Sequence, residues 1–283
     1  MGAVVDISTR NPVYSSLDGS VVDMSTGVVF ETIDADAAAF FTAAGITDAT
    51  QKSAVNTLVT SLKSNSLWTK FNALYPFVGG SATSHKFNLI NPADSNAAFR
   101  LSFMGGWTHS ANGALPNGTT GYADTFLNVN TTLSLNDAAL HIYNGTNTAT
   151  NCIDIGAEVG ANVTEVYARY TNTFYTFINN SSSLCQVANN DSRGFYTSTR
   201  TASNLIKCIK NGTEQTVISN TVASTSKPNA TIFIGAANNG SSAILFADRS
   251  IRFAGVSSGF TAAEAATLYT IIQAYQTSLS RNV

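Results

Sequence analysis

Ser257 lies in Gly255-Val-Ser257-Ser-Gly259, a G-x-S-x-G run of the kind that exposes a nucleophilic serine at a strand-to-helix turn. Hydrolases built on that turn carry their Asp and then their His after the serine. The three histidines of this chain, His85, His109 and His141, all precede Ser257. A turn of small residues accounts for the motif, and no nucleophilic catalysis is expected from it. Paired carboxylates would be the second chemistry. Asp154 and Glu158 are four apart on an expected strand, so they share a face but stand ~13 Å apart along it. Glycosidase pairs need about 5–5.5 Å for retention or ~6.5–9.5 Å for inversion, so solvated carboxylates are the expected state. The isolated histidines form neither His-x-His nor His-Glu-x-x-His, and there is no P-loop and no G-x-G-x-x-G. Sugar binding is the remaining chemistry. Trp107, His109 and Tyr122 bracket a long Gly/Asn-rich loop on which a glycan ring could stack, although packing is the commoner role for such a Trp.

The elements that would position these groups follow from a change of period. From about Thr47 to Tyr75 apolar residues recur every three or four positions, and from Phe87 to Val256 every two. Asp34 or Asp36 can cap a first helix that ends at Gly45. Asp48 and Gln51 open a second, with Val55, Leu58, Val59 and Leu62 on one stripe. Leu67, Phe71, Leu74 and Tyr75 predict a third helical stripe, stopped by Pro76 and Gly79-Gly80. Phe99, Leu101 and Phe103 predict the cleanest half-buried strand. Others are expected at Phe87/Leu89, Leu133/Leu135, Leu140/Ile142, Ile153/Ile155, Val166 to Tyr170, Tyr175/Phe177, Leu205 to Ile209, Ile232/Ile234 and Ile251/Phe253. Asn211-Gly212 marks a two-residue hairpin. Thr261 and Glu264 form a capping box for a closing helix whose stripe is Ala265, Leu268, Ile272, Tyr275 and Leu279. The expected architecture is mainly β: an antiparallel sandwich with a short N-terminal helical region and a C-terminal helix packed on it. Three segments are expected: residues 1–33 as a docking arm, 34–80 as a helical segment and 81–283 as the sandwich.

Charged residues make up only 11% of the 283, so surface polarity must come from Ser, Thr and Asn. A net charge of −2 with scattered Lys and Arg gives no footprint for nucleic acid. No stretch approaches the ~20 apolar residues needed to cross a bilayer, and Met1 to Asp6 lack the basic-then-apolar opening of an export signal. Neither nucleic-acid binding nor membrane insertion is expected. Cys152, Cys185 and Cys208 leave at least one thiol unpaired, and buried free thiols are the expected state. Residues 1–33 show Val-Val pairs without period, which suggests an extended arm that docks on a neighbouring chain.

From about Ala202 the order is a strand, the Asn211-Gly212 hairpin, Ile232-Phe-Ile-Gly235, Arg249-Ser-Ile-Arg-Phe253 and then Phe260-Thr-Ala-Ala-Glu264. This resembles the tail of concanavalin A-like (laminin G-like) jelly rolls. The segment from Trp107 to Tyr122 resembles stretches in phage and bacterial proteins that carry such domains. The resemblance covers roughly Ser81 to Val283. It implies a jelly-roll sandwich, but the fold hosts lectins, glucanases and plain structural modules. The Glu-x-Asp-x-x-Glu run of its glucanases is missing here. No resident cofactor is expected. Some jelly rolls of this type bind calcium through loop carboxylates, which here would be Asp124, Asp137 and Asp191; stabilising turns is the commoner role for such Asp. The expectation is a non-enzymatic virion protein of a bacteriophage: a fibre, decoration or tail-appendage subunit. It would be a homo-oligomer attached to other virion proteins through its arm, with a glycan as a further ligand. The alternative is a bacterial carbohydrate-binding module or adhesin, and a glycan hydrolase is the least favoured.

Overall fold

From Phe71 onward the strands sort into two sheets that face each other across a central core. In the computed structural model, residues 32–283 are described throughout. Ahead of them only the backbone of four short antiparallel strands is described: Ala3–Val5, Pro12–Ser15, Val21–Asp23 and Val28–Phe30. The expected burial of the N-terminal Val-Val pairs against a neighbour concerns side chains outside the described residues. An eight-stranded sheet runs in the order Thr213–Glu214, Leu205–Lys210, Gly194–Ala202, Ala138–Asn144, Ile251–Ser257, Gly113–Pro116 and Trp107–Ser110, with Phe71–Tyr75 also paired to Ile251–Ser257. Its partner is a nine-stranded sheet. The main order there is Gln186–Ala188, Thr173–Ile178, Asn162–Tyr170, Ile155–Val159, Thr231–Ile234, Tyr122–Asn128 and Ser102–Met104. Leu140, Ile142, Tyr196 and Val256 of the first sheet meet Leu127, Val166, Phe174 and Ile234 of the second in the central core.

The two sheets differ in what covers their outer faces. Helices Ala35–Ala44, Ala49–Ser64 and Ala262–Ser278 lie on the eight-stranded sheet. Phe40, Val55, Leu58, Leu268 and Ile272 pack there against Leu74, Tyr143, Phe195 and Phe253. A strand covered on both sides is buried at every residue, and Ala138–Asn144 is buried from end to end. Among the described residues no long helix lies on the outer face of the nine-stranded sheet. Tyr122–Asn128 and Thr173–Ile178 accordingly alternate between buried and half-buried residues.

Local signals place many boundaries. The Asp34 side chain caps the first helix, Gly45 ends it with φ 65°, and Asp48 caps the second through the Gln51 N–H at 2.8 Å. Asn211 (φ 49°) and Gly212 (φ 72°) form the tight hairpin with both residues left-handed. The Thr261–Glu264 capping box is closed in both directions. Several expectations need correction. The pairs Phe87/Leu89 and Leu133/Leu135 lie in irregular segments, not strands: they follow the short helices Ala82–His85 and Val129–Thr132, and Phe87, Leu89 and Leu133 are buried there without joining a strand. The stripe through Leu67 and Tyr75 is not a helix but a short turn, Trp68–Lys70, followed by the strand Phe71–Tyr75. That strand is buried almost throughout, and periodicity alone cannot separate such a run from a buried helix. The strand expected from Phe99 to Phe103 shrinks to Ser102–Met104, because Phe99 is left-handed (φ 58°) at the end of the turn Asn96–Ala98.

Candidate functional site

The structure brings together a Ser–His pair that chain order had set aside. His141 Nε2 lies 2.8 Å from Ser257 Oγ, and its Nδ1 lies 2.9 Å from Thr197 Oγ1. The Ser257 hydroxyl donates to the Ser258 carbonyl at 2.7 Å, so His141 Nε2 donates to Ser257 and Nδ1 accepts from Thr197. Both residues are fully buried, and Phe71, Phe195 and Phe260 surround the imidazole. Burial, aided by the charge of Lys70, holds His141 near a pKa of about 3. The third position holds a threonine instead of a carboxylate, and the pair serves as a polar tie between strands.

Asp154 corrects the expectation of solvated carboxylates. It is fully buried, and both of its oxygens accept from Arg249 Nη1 (2.8 and 3.0 Å); Oδ1 accepts also from Asn144 Nδ2 (2.8 Å) and Oδ2 from the Ala168 N–H (2.7 Å). Arg249 donates further to the carbonyls of Thr150 and Arg169, so the ion pair has partners on all sides. Such a carboxylate has no oxygen left for a substrate. Asp124, Asp137 and Asp191 do not converge either. Asp124 and Asp191 accept from the N–H two residues on, of Phe126 and Arg193, while Asp137 accepts from the distant Gly259 N–H at 2.7 Å. Among the described residues no three His, Cys, Asp or Glu side chains gather as a metal site.

The predicted aromatic trio divides between two faces. Trp107 and His109 stack at 6.0 Å and both meet Phe103 edge-on. The indole N–H is already engaged by the carbonyls of Met104 (3.1 Å) and Tyr122 (3.2 Å), and the ring packs against the central core. His109 Nδ1 faces His85 Nδ1 at 2.9 Å, so one ring donates to the other. Burial, with the neighbouring charges of His109 and Arg281, lowers His85 to about 3. Tyr122 follows the alternation of its strand to the opposite side, where it stacks on Phe233 at 4.5 Å.

That opposite side is the outer face of the nine-stranded sheet, and it is lined with aromatics. Tyr167 stands across from Tyr175, and Glu165 across from Phe177. Tyr167, Tyr170, Tyr175, Phe177, Ser183 and Leu245 enclose a cleft of about 340 Å³. Tyr175 and Phe177 are nearly parallel (11°), and Tyr167 meets them at 68° and 64°, so the rings form a floor and a wall. Glu165 is fully buried on this same face. Its Oε2 accepts from the Tyr167 hydroxyl at 2.6 Å, and its Oε1 has no partner. Burial raises Glu165 to about 8; the Tyr167 hydrogen bond opposes the shift and Glu158 adds to it. The facing residue is Gly156, where a Cβ would come within 2.5 Å of Glu165 Cγ, so only glycine leaves room for this acid. At the other edge of the face, Ser102, Met104, Tyr122, Asp124 and Phe126 line a second hollow of about 250 Å³.

A larger groove, about 450 Å³, runs between helices Ala49–Ser64 and Ala262–Ser278. Ala, Ser and Thr dominate its lining, and the hydroxyl of its one aromatic residue, Tyr275, is bound to the Pro76 carbonyl at 2.8 Å. It offers shape without chemistry. The Tyr167 cleft is therefore the candidate site, and sequence reasoning passed it over. In the sequence the pair Tyr175/Phe177 reads as the apolar signal of its strand, but Phe174, Thr176 and Ile178 turn inward and leave Tyr175 and Phe177 on the outer face.

No family model matches the chain, and no curated protein matches it. Among solved structures it is similar to domain 4 of AbnA, a GH43 extracellular arabinanase from Geobacillus stearothermophilus, in complex with arabinotriose. The identity is 14%, the match covers 71% of this chain and 98% of that one, and the TM-score is 0.48. A mutant Trypanosoma rangeli sialidase displaying trans-sialidase activity shows 9% identity over 78% of this chain and 39% of that one, with a TM-score of 0.49. The receptor-binding domain of botulinum neurotoxin C/D mosaic serotype shows 10% identity over 72% and 51%, with a TM-score of 0.48. The chain spans about half or less of the last two. Likenesses this distant carry no argument about ligand or activity.

Proposed function

We propose that this protein is a non-enzymatic glycan-binding β-sandwich whose ligand lies on the outer face of the nine-stranded sheet, in the cleft of Tyr167, Tyr170, Tyr175 and Phe177. The observation that carries this reading is an aromatic floor and wall built on adjacent strands and left uncovered by the helical layer. Tyrosine offers a sugar ring an apolar surface with a hydroxyl at its rim. A rigid strand pair presents these rings without ordering a loop, which keeps the entropy cost of binding low. No Lys or Arg is among the residues enclosing the cleft to pair with an acidic sugar, and Glu158 lies nearby, so uncharged sugars fit better than acidic ones. The non-enzymatic part rests on Glu165, the acid nearest these rings, whose side chain is fully buried and closed to a substrate.

The test is a glycan array with the wild type, Tyr175→Ala and Trp107→Ala, each checked by a thermal melt. Tyr175→Ala should weaken binding about tenfold or more, the scale of a central aromatic contact, while Trp107→Ala should bind as the wild type does. Binding lost only with Trp107→Ala would return the site to the Trp107 loop. Hydrolysis of any array sugar would sink the non-enzymatic reading.

We place this module on a bacteriophage particle, as a homo-oligomer attached through its N-terminal segment. Supporting this are the low charge, the surface polarity carried by Ser, Thr and Asn, and the resemblance of the Trp107–Tyr122 stretch. Copurification with intact particles at fixed stoichiometry is the expected result. Absence from purified particles would favour a bacterial adhesin or carbohydrate-binding module.

A further inference from the structure

We propose that Cys185 and Cys208 are the two halves of a disulfide that ties the two sheets together when the chain folds in the presence of a disulfide oxidant. Cys208 lies on the strand Leu205–Lys210 of the eight-stranded sheet and points into the central core. Cys185 immediately precedes the edge strand Gln186–Ala188 of the nine-stranded sheet and belongs to the same core. Both are fully buried, 23 apart in sequence, and their sulfurs stand 3.3 Å apart.

The backbone at Cys185 is held to both layers. Its carbonyl accepts from the Thr176 N–H at 3.1 Å and from Cys208 Sγ at 3.1 Å. Cys208 Sγ also contacts Thr176 Oγ1 at 3.0 Å. A disulfide has S–S ≈ 2.05 Å, so closure needs a movement of little more than about 1 Å, within reach of side-chain rotation. Cys152, the third thiol, lies elsewhere, beside the Asp154–Arg249 pair, and remains the unpaired one.

Timing follows from the thiolate requirement. In the closed core both sulfurs are fully buried and out of reach of an oxidant, and burial pushes the Cys208 thiol well above its ordinary range. The bond must form during folding or in an opened state. One cysteine thiolate attacks a sulfur of glutathione disulfide, giving a mixed disulfide and one glutathione thiolate. The second cysteine thiolate then attacks the protein sulfur of that mixed disulfide and releases a second glutathione. Two cysteine thiols are oxidised and one glutathione disulfide is reduced, and the two protons leave with the glutathiones.

The experiment is refolding of the full chain in a mixture of glutathione and its disulfide, followed by alkylation in denaturant and mass spectrometry. The expected product is two hydrogens lighter than the reduced chain, takes up one alkyl group at Cys152, and yields a linked Cys185–Cys208 peptide pair. Its melt should lie roughly 5–10 °C above that of the same protein after reduction, as a closed loop of this length implies. A folded product with three alkylated thiols would overturn the proposal, as would a bond involving Cys152 or a lower melt on oxidation. Cys152→Ser, which leaves only the two partners, should give the same mass loss; Cys208→Ala should give none.

Discussion

Glu165 shows what a buried acid does to a β face. Its pKa is raised to about 8 from an ordinary 4.5, so the folded chain keeps a proton that the unfolded chain releases above 4.5. Stability must then fall as pH rises from about 4.5 to about 8, because the folded state binds more protons across that window. His85 and His141 act in the opposite sense. Both stay neutral down to about 3 when folded, whereas the unfolded imidazoles protonate near 6.5, so their contribution is complete above 6.5 and is lost as pH falls toward 3. The three groups together place the stability maximum near pH 6.5. Glu165→Gln should flatten the decline between pH 6.5 and 8, read as melting temperature against pH, and steepen the rise between pH 4.5 and 6.5, where the buried acid opposes the histidines. A decline that persists in the variant would assign it to other groups.

The closing helix makes the same kind of argument for a whole element. Thr261 and Glu264 start it, and Ala265, Leu268, Ile272 and Tyr275 bury one side against the eight-stranded sheet and the second helix. Leu268 is fully buried in that layer, so Leu268→Ala should cost about 2–5 kcal/mol in a denaturant titration. A cost below ~0.5 kcal/mol would mean that the helical layer does not close this face. The layer has a consequence for function. By covering the eight-stranded sheet it leaves the nine-stranded sheet as the open face among the described residues, and the aromatics of Tyr167, Tyr175 and Tyr122 lie there.

At the scale of the molecule, the two cores draw all their described members from Ala37 onward. The helices and both sheets from Ala35 onward already close these two cores, so deleting residues 1–31 should leave a cooperative melt within a few degrees of the full chain, while incorporation into particles should be lost. A truncated protein that no longer melts cooperatively would make the N-terminal segment part of the fold. Asn56, which donates to the Thr32 carbonyl at 3.0 Å, marks where the segment meets the body and sets a sensible limit for the deletion.

Local chemistry was legible without coordinates wherever it is decided within a few residues. The Asp48 and Thr261 caps, the Asn211-Gly212 hairpin, the closing stripe and the alternation of Thr173–Ile178 all depend on neighbours in the chain. Pairings across the fold were not legible, because nothing local records them. The Phe71–Tyr75 run is a strand because Ile251–Ser257 offers it a partner some 180 residues on, as the Ala254–Tyr75 register shows. Asp154 became a buried ion rather than a solvated one because Arg249 reaches it from 95 residues away. Cys185 and Cys208 meet because the two sheets close on each other. Period 2 told which residues share a face of a strand, but only the packed helices decided which sheet would be left open, and so which aromatics face a ligand.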